Sequence, residues 1–323
     1  MRTLWLMACG LLVAAVAALP AASEQKETAM PKEAPKGGIE VVDEAFKDVA
    51  APDAKVRQVG SGLKFTEGPT WFEDGKFFVF SDIPANAIDR WAEGEEVKVW
   101  RQPSNGANGN TVDRQGRLVT CEGGGRTVTR TGKDGKIETL CSTHKGKKLN
   151  APNDVVVKTD GTIWFTDPPY GVKPADVEQE TNNVYRLDPG AKEPVAVVTD
   201  MTRPNGLCFS PDEKFLYVAN SDTKIHNVRR FRVKADNTLE GGDVFVTIDP
   251  GVPDGMRCDR DGRLYSSAGD GVQVFSPEGK LLGRIRTAET AANCAFGGPE
   301  FRTLFITART GVWAVDLKVP GAK

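Results

Sequence analysis

The chain repeats one arrangement of hydrophobic and polar positions, in which a short apolar run meets a polar turn and a second apolar run returns. The third copy shows this most clearly: the β-branched run 154–158, the turn 159–161 and the return 162–166 are followed by apolar runs at 183–187 and 194–198. Such runs, bounded by turn residues, predict antiparallel strands joined by hairpins. Because no stretch resembles a long amphipathic helix, the pattern predicts an all-β protein with four strands in each copy.

Six copies of the arrangement occupy most of the chain. The polar turns that mark them are 39 to 52 residues apart and are Asp74, Gln115, Asp160, Asp212, Asp261 and Glu300. Small four-stranded sheets bury both of their faces only by stacking face to face around an axis, so the repeat predicts a six-bladed β-propeller. A β-sandwich is the alternative, but that fold does not require repeated four-stranded units of the same pattern.

The flanks of the repeat region predict how the ring closes. The last copy has no fourth strand after 311–315, whereas 54–59 is a strand that precedes the first copy. We expect this N-terminal strand to complete the last blade and cover its open edge, so that 54–319 forms one domain. The polar, proline-containing segment 24–53 is expected to be a flexible leader, in which 39–51 could form a short helix or strand.

The first residues predict export. Met1–Thr3 carries a positive charge, an apolar run follows, and Ala21–Ser23 supplies small residues for cleavage, which is the pattern of a secretory signal peptide at 1–23. A membrane anchor is the alternative, but the apolar run is short for a membrane span. We therefore expect an exported protein, located in the periplasm or outside the cell.

Charge and cysteine content narrow the function classes. The 42 Lys and Arg residues nearly balance 44 Asp and Glu, with a net charge of -2, so nucleic acid is not an expected partner. No later apolar stretch approaches the length of the first one, so no membrane span is expected. Cys208, Cys258 and Cys294 fall inside predicted inner strands and are expected to be small buried hydrophobes. Cys121 and Cys141 belong to one copy and could pair in an exported protein.

An oxygen-bearing side chain precedes each turn by seven positions. These six axial residues are Glu67, Asn108, Asn153, Asn205, Asp254 and Asn293. In a propeller the first strand of each blade lines the central channel, so residues at the same phase meet at the same height. Oxygen donors without His or Cys suit Ca²⁺ best, and Mg²⁺ or Mn²⁺ next. They suit copper and Zn²⁺ less well, and of these two only Zn²⁺ is kept as an alternative. The two carboxylates, Glu67 and Asp254, would balance a divalent ion.

Local turn chemistry is the alternative explanation for these positions. Asn and Asp are common before strands because their side chains bond nearby backbone, and several of the six are followed by glycine. Glu67 argues against this explanation, because glutamate is a poor turn residue and a carboxylate facing a narrow channel costs several kcal/mol unless an ion or donor offsets it.

Five motifs at these positions resemble the SMP-30/gluconolactonase family, and specifically its bacterial gluconolactonase-like branch. They are Phe65–Pro69, Ala151–Asp154, Phe165–Gly171, Pro204–Leu207 and Pro253–Met256, and the resemblance extends over about 54–317. Each motif alone is weak, but five in order at propeller spacing are specific.

The resemblance implies a six-bladed propeller that holds one divalent ion through Glu67, Asn205 and Asp254. Asn153 is similar to a family residue that contacts the ion or the substrate. Some animal members of the family carry an arginine at the position of Ala151, and the resemblance assigns sugar-lactone specificity to that arginine. This chain does not have the arginine.

We therefore expect a metal-dependent hydrolase that opens the ester of a lactone such as gluconolactone. The ion would polarise the carbonyl and Asp254 would take the proton from the attacking water. Asn153 and Asn108 would orient the lactone. Asp167 would reach the channel mouth and Tyr170 would form a wall against the substrate ring, although a loop-capping Asp and a packing Tyr explain these two residues equally well.

Two other functions fit the same sequence. The protein could be a metal-stabilised binding module without catalytic activity, because propellers host many functions. It could also hydrolyse other lactones, aryl esters or phosphotriesters at the same site. No G-x-S-x-G or P-loop motif is present, and the sequence indicates no oligomeric state.

Overall fold

The computed structural model describes residues 37–323, so the predicted signal peptide and the first part of the leader lie outside the described residues. The described chain begins with strand β1 (Gly38–Val41), a 3-10 helix (Glu44–Asp48) and strand β2 (Arg57–Gly60). In this part of the chain, none of the helical segments has the length and apolarity needed to traverse a bilayer.

Twenty-three of the following strands form six sheets, in the order that the repeat predicts. Blade one contains β3 (Thr66–Phe72), β4 (Phe77–Asp82), β5 (Ala87–Trp91) and β6 (Lys98–Arg101). Blade two contains β7 (Ala107–Val112), β8 (Leu118–Glu122), β9 (Thr127–Thr131) and β10 (Ile137–Cys141), and the hairpin β11 (Thr143–His144) and β12 (Lys147–Lys148) follows it. Blade three contains β13 (Val155–Val157), β14 (Ile163–Asp167), β15 (Asn183–Leu187) and β16 (Val195–Val198).

The second half of the chain has the same organisation. Blade four contains β17 (Pro204–Phe209), β18 (Phe215–Asn220), β19 (Asn227–Val233) and β20 (Leu239–Thr247). Blade five contains β21 (Met256–Cys258), β22 (Leu264–Ala268), β23 (Gly271–Phe275) and β24 (Leu281–Arg286). Blade six contains β25 (Asn293–Gly297), β26 (Thr303–Ala308) and β27 (Gly311–Asp316). Short 3-10 helices lie in loops at Ile83–Ala85, Pro174–Asp176 and Pro299–Phe301.

The blades form a closed ring. The innermost strand of each blade packs against that of the next, and β25 of the last blade packs against β3 of the first. The predicted closure is confirmed, because β2 pairs antiparallel with β27 through Arg57 opposite Ala314 and Gln58 opposite Trp313. This pairing covers the edge of blade six, which would otherwise expose unpaired backbone groups.

Part of the expected flexible leader is ordered. Strand β1 adds a fifth strand to blade five by pairing with β24. The Glu40 carboxylate accepts hydrogen bonds from Arg284 at 2.7 Å and from Arg286 at 2.6 Å. Phe46 is fully buried and packs where Gly283 has no side chain. The short helix or strand expected within 39–51 is therefore present, and this part of the segment 24–53 carries a buried aromatic anchor and covers a second sheet edge.

Aromatic side chains join the first and last blades. Phe78 of blade one stacks on Phe305 of blade six with ring centroids 4.4 Å apart, and Trp71 and Trp91 pack around the same ring. These residues form a hydrophobic cluster with Val312 and Ala314. Large apolar groups buried between sheets supply most of the free energy that holds neighbouring blades together.

All five cysteines of the described chain are buried free thiols. Cys208 and Cys258 lie in the core cluster between blades four and five, and Cys294 lies in the cluster between blades five and six. Cys121 and Cys141 pack in the cluster between blades two and three without forming a disulfide. The thiols thus behave as small hydrophobic side chains in this structure.

Candidate functional site

The six axial residues lie at or just before the starts of the innermost strands. Four lie within the first two residues of their strands, namely Glu67, Asn108, Asn205 and Asn293, while Asn153 and Asp254 each precede a strand by two residues. Glu67 is only 4% exposed, and its Oε2 accepts hydrogen bonds from Asn293 Nδ2 at 3.1 Å and from the Gly68 backbone amide at 3.0 Å. The ring therefore brings together residues that are more than 200 positions apart in sequence.

Glycines explain how the ring can be so narrow. A glycine follows Glu67, Asn108, Asn205 and Asp254. A Cβ atom at Gly68 would lie 2.1 Å from the Asn108 carbonyl oxygen, and one at Gly206 would lie 2.0 Å from the Asp254 carbonyl oxygen. Each of these two glycines thus allows the backbone of the next blade to approach closely. Gly68 and Gly206 are therefore required by packing between blades. Local turn chemistry does not explain this requirement.

Hydroxyl groups on second strands fix the backbone of the axial residues. Ser81 Oγ donates to the Asn108 carbonyl oxygen at 2.7 Å, and Thr166 Oγ1 donates to that of Asn205 at 2.7 Å. In both cases the hydroxyl belongs to the preceding blade. The side chains of the two asparagines are thereby left free to project from an anchored backbone.

The two axial carboxylates repel each other electrostatically. Burial raises the pKa of Asp254 well above its usual range, and the neighbouring Glu67 carboxylate raises it further. Burial likewise raises the pKa of Glu67 above its ordinary value. Asp254 is nevertheless partly exposed, whereas Glu67 is buried. Two crowded carboxylates of this kind are stabilised by a positive charge placed between them.

The residues present fit a hard divalent cation. Asn205 Oδ1 is buried and has no hydrogen-bond partner, and it lies on the same ring as the carboxylates of Glu67 and Asp254. Among residues 37–323, no group of three or more His, Cys, Asp or Glu side chains is arranged to hold a metal ion. A cation at this site would therefore be shared between the two carboxylates and amide oxygens, a donor set that suits Ca²⁺.

A third carboxylate beside the axial ring was missed in the sequence. Asp154 is 1% exposed, its Oδ1 accepts from the Val155 amide at 2.9 Å, and its Oδ2 has no hydrogen-bond partner. Its negative charge raises the pKa of both Glu67 and Asp254. The signal that could have found it is the departure from the repeat, because four of the six axial residues are followed by glycine and Asn153 is followed by this aspartate.

A cleft of about 750 Å³ adjoins the ring on the side of blades two and three. Asn108, Asn153 and Tyr170 line it, and their contact with a substrate stays a prediction. Burial raises the pKa of Tyr170 to about 12, and the Asp254 carboxylate adds to this effect. The pKa of the same hydroxyl is also affected by Asn205, so Tyr170 lines the cleft on the side of the axial residues Asn205 and Asp254.

Asp167 is buried and bonds the backbone of the segment that leads to Asn153. It is fully buried at the end of β14, and its Oδ2 accepts a hydrogen bond from the Asn150 amide at 2.8 Å. Burial raises its pKa to about 7. The structure therefore fits the loop-capping alternative, in which Asp167 fixes the segment that leads into Pro152 and Asn153, while direct contact with substrate stays a prediction.

One wall of the cleft consists of an insertion that the repeat pattern could not predict. The loop 168–182 connects β14 to β15, and Gln179 Nε2 donates to the carbonyl oxygens of Lys147 at 3.0 Å and Lys148 at 2.9 Å in the β11–β12 hairpin. Arg126 Nη1 donates to the Asp176 carbonyl oxygen at 3.1 Å. The 3-10 helix Pro174–Asp176 is thus tied to blade two through Arg126, and the chain after it is tied to the β11–β12 hairpin through Gln179.

Comparison with known proteins places the chain in context. Residues 65–310 match the SMP-30/Gluconolactonase/LRE-like region. A gluconolactonase from Zymomonas mobilis is 31% identical over 306 residues, which cover 86% of this chain and 85% of that protein. A solved structure of a gluconolactonase from Xanthomonas campestris is 36% identical, with a TM-score of 0.82 over 89% of this chain and 99% of that one.

A more distant structure shares the fold. It is regucalcin from Agrobacterium tumefaciens, described as a calcium-binding protein, with 18% identity and a TM-score of 0.70 over 84% of this chain and 98% of that one. The matched region 65–310 contains all six axial residues and the cleft. The chain belongs to the SMP-30/gluconolactonase/LRE-like family.

Proposed function

We propose that the protein is an exported lactone hydrolase that requires one divalent cation, most suitably Ca²⁺, at the axial ring. The observation that carries the proposal is the meeting of Glu67, Asp254 and the unpartnered Asn205 Oδ1 beside a cleft of about 750 Å³. The Zymomonas and Xanthomonas relatives are named gluconolactonases, which supports a lactone as the substrate class.

Glu67, Asn205 and Asp254 would hold the cation. When bound, a divalent cation polarises a carbonyl oxygen and lowers the pKa of water. It would also offset the repulsion between the two carboxylates, which otherwise raises the pKa of Asp254. The pair would then be ionised at neutral pH, and an ionised Asp254 can accept a proton.

Asp254 and the cleft side chains would move the proton and orient the lactone. Asp254, partly exposed toward solvent, would take the proton from the water that attacks the lactone carbonyl. Asn153 and Asn108 would donate amide hydrogen bonds to the lactone from the cleft wall. Tyr170, whose pKa of about 12 keeps its phenol protonated at neutral pH, would donate a hydrogen bond and pack its ring against the substrate.

The test is hydrolysis of five- and six-membered sugar lactones, followed by pH-stat titration. Chelated protein should lose turnover and regain it with Ca²⁺. Asp254→Asn and Glu67→Gln should each lower kcat by about 100-fold or more, the range expected when a general base or its electrostatic partner is removed. Asp74→Asn is the matched control, because Asp74 is an exposed turn residue that follows Glu67 by seven positions.

The possible outcomes separate the competing functions. Turnover by chelated Asp254→Asn protein at the rate of the parent would refute the mechanism. Stabilisation by Ca²⁺ without hydrolysis of any lactone would support a binding module instead. Faster hydrolysis of aryl esters or phosphotriesters than of lactones would assign the site to another substrate class.

Export is tested separately. Mass analysis of protein from the cell envelope or medium should find a chain that begins after Ser23, and an intact cytoplasmic chain would contradict export.

A further inference from the structure

The innermost strands enclose a second cavity, of about 390 Å³, beyond the axial ring. The residues three positions after each axial residue all line it, and they are Thr70, Thr111, Val156, Cys208, Arg257 and Phe296. These residues lie further along the same strands than the axial residues do. The cavity, which we call the lower cavity, is therefore at the next level of the channel below the axial ring. Five of these six side chains are uncharged and only Arg257 carries a charge.

Arg257 points its charge toward the axial ring. Its Nη1 donates to the Met256 carbonyl oxygen at 2.6 Å and lies 3.8 Å from Asp154 Oδ2. The Arg257 side chain is 16% exposed and that of Asp154 is 2% exposed, so the pair is largely removed from water. The distance is that of an ion pair and is too long for a hydrogen bond.

Asp154 lies directly beside the axial ring. It follows the axial Asn153 and stands where four other copies of the repeat have glycine, and a Cβ atom at Gly109, the residue after the axial Asn108, would lie 2.6 Å from Asp154 Oδ1. A carboxylate at this position adds a third negative charge next to a site that needs two for a divalent ion. Arg257 supplies one positive charge, so that the group of three carboxylates and one guanidinium carries a formal charge of -2.

We propose that Arg257 and Asp154 form a charge-balancing pair that sets the selectivity of the axial ring for divalent over trivalent cations. The proposal rests on the cation site of the proposed function. Arg257 neutralises the inner carboxylate from the side of the lower cavity, which leaves the charges of Glu67 and Asp254 for the ion. Charges in a poorly hydrated channel are weakly screened, so one additional unit of charge changes the binding of a trivalent ion more than that of a divalent ion.

A purely structural ion pair would behave differently. Removing one partner of a buried pair generally lowers stability, because the other charge is left uncompensated. That effect would lower the melting temperature of the metal-free protein but would leave the relative affinities of two ions unchanged. The ratio of La³⁺ to Ca²⁺ affinity therefore reports charge balance and is insensitive to loss of folded protein.

The experiment measures Ca²⁺ and La³⁺ dissociation constants by isothermal titration calorimetry for the full chain and for matched variants. Arg257→Met should raise the ratio of La³⁺ to Ca²⁺ affinity on the order of tenfold, because the site then carries one more unit of uncompensated negative charge. Asp154→Asn should lower the ratio by a similar factor. Arg257→Lys keeps the charge and should keep the ratio, and the double variant Asp154→Asn with Arg257→Met should return it to that of the parent.

An unchanged ratio in folded Arg257→Met protein would overturn the proposal. If Arg257→Met does not fold, the comparison of Asp154→Asn with the double variant decides the matter, and equal ratios in these two proteins would overturn it. Failure of the parent protein to bind either ion would instead refute the cation site of the proposed function. If the parent binds both ions but the affinity ratio does not depend on Arg257, the charge-balancing pair is refuted and the cation site is not.

Discussion

Replacing Asp167 with asparagine should remove a pH-dependent loss of stability. Burial raises the pKa of Asp167 from 3.8 to about 7, and the carboxylate is fully buried with one oxygen unpartnered. The folded protein therefore holds the proton of Asp167 more tightly than the unfolded chain does. The stability that this group contributes is fully present below pH 3.8 and is lost as the pH rises through about 7.

The magnitude follows from these two pKa values. Between pH 5 and pH 8 the free energy of unfolding should fall by about 2.5 kcal/mol on account of Asp167 alone. In the asparagine variant this contribution disappears. In this variant one of the two polar atoms of the side-chain amide has no hydrogen-bond partner, which lowers stability. That loss is the same at both pH values and cancels in the comparison.

Urea unfolding at pH 5 and at pH 8 measures the effect. The parent should lose about 2.5 kcal/mol more than Asp167→Asn between the two conditions. Asp74→Asn, at an exposed turn, serves as the control and should follow the parent. Equal losses in the parent and in Asp167→Asn would show that Asp167 is already ionised in the folded protein at pH 5, and would refute the argument from burial.

Three further predictions concern other parts of the fold. Phe46→Ala should lower the free energy of unfolding by about 3 to 5 kcal/mol, because the ring is fully buried on blade five; a loss below 1 kcal/mol in urea unfolding would mean that the N-terminal segment packs weakly. Gly206→Ala should weaken Ca²⁺ binding measured by calorimetry, since its Cβ would lie 2.0 Å from the Asp254 carbonyl oxygen; unchanged affinity would show that the ring can widen without cost. Tyr170→Phe should lower lactone turnover about tenfold and leave Ca²⁺ affinity within about twofold, because it removes a donor to the substrate but no ligand of the ion; equal loss of both would contradict a role in substrate binding.

Much of the fold was predictable because the repeat phase is constant. The spacing between each axial residue and its turn does not change, so Glu67 and Asn293 could be assigned to one ring without knowledge of the loops. The closure of blade six by β2 was predictable as well, since one end of the repeat lacked a strand that the other end supplied. The segment 39–51 is expected only as a short helix or strand of undecided type, because Phe46 and its neighbours are the few apolar residues that mark it as buried.

The features that sequence reasoning missed are those that break the repeat. Asp154 and Arg257 stand at phases where most copies have glycine or an uncharged residue, so the common pattern gives no reason to pair them. The loop 168–182 and its contacts with the β11–β12 hairpin depend on an insertion that has no counterpart in other blades. The sequence leaves open whether Asp167 reaches the channel mouth or caps a loop, because the direction of its side chain depends on the backbone amide of Asn150.

The cation site is tested most directly by anomalous diffraction from crystals soaked in Mn²⁺, which stands in for Ca²⁺. The account predicts one strong peak within coordination distance of a carboxylate oxygen of Glu67, a carboxylate oxygen of Asp254 and Asn205 Oδ1, and no such peak in crystals of Glu67→Gln protein. A peak elsewhere, or none at saturating Mn²⁺, would contradict it.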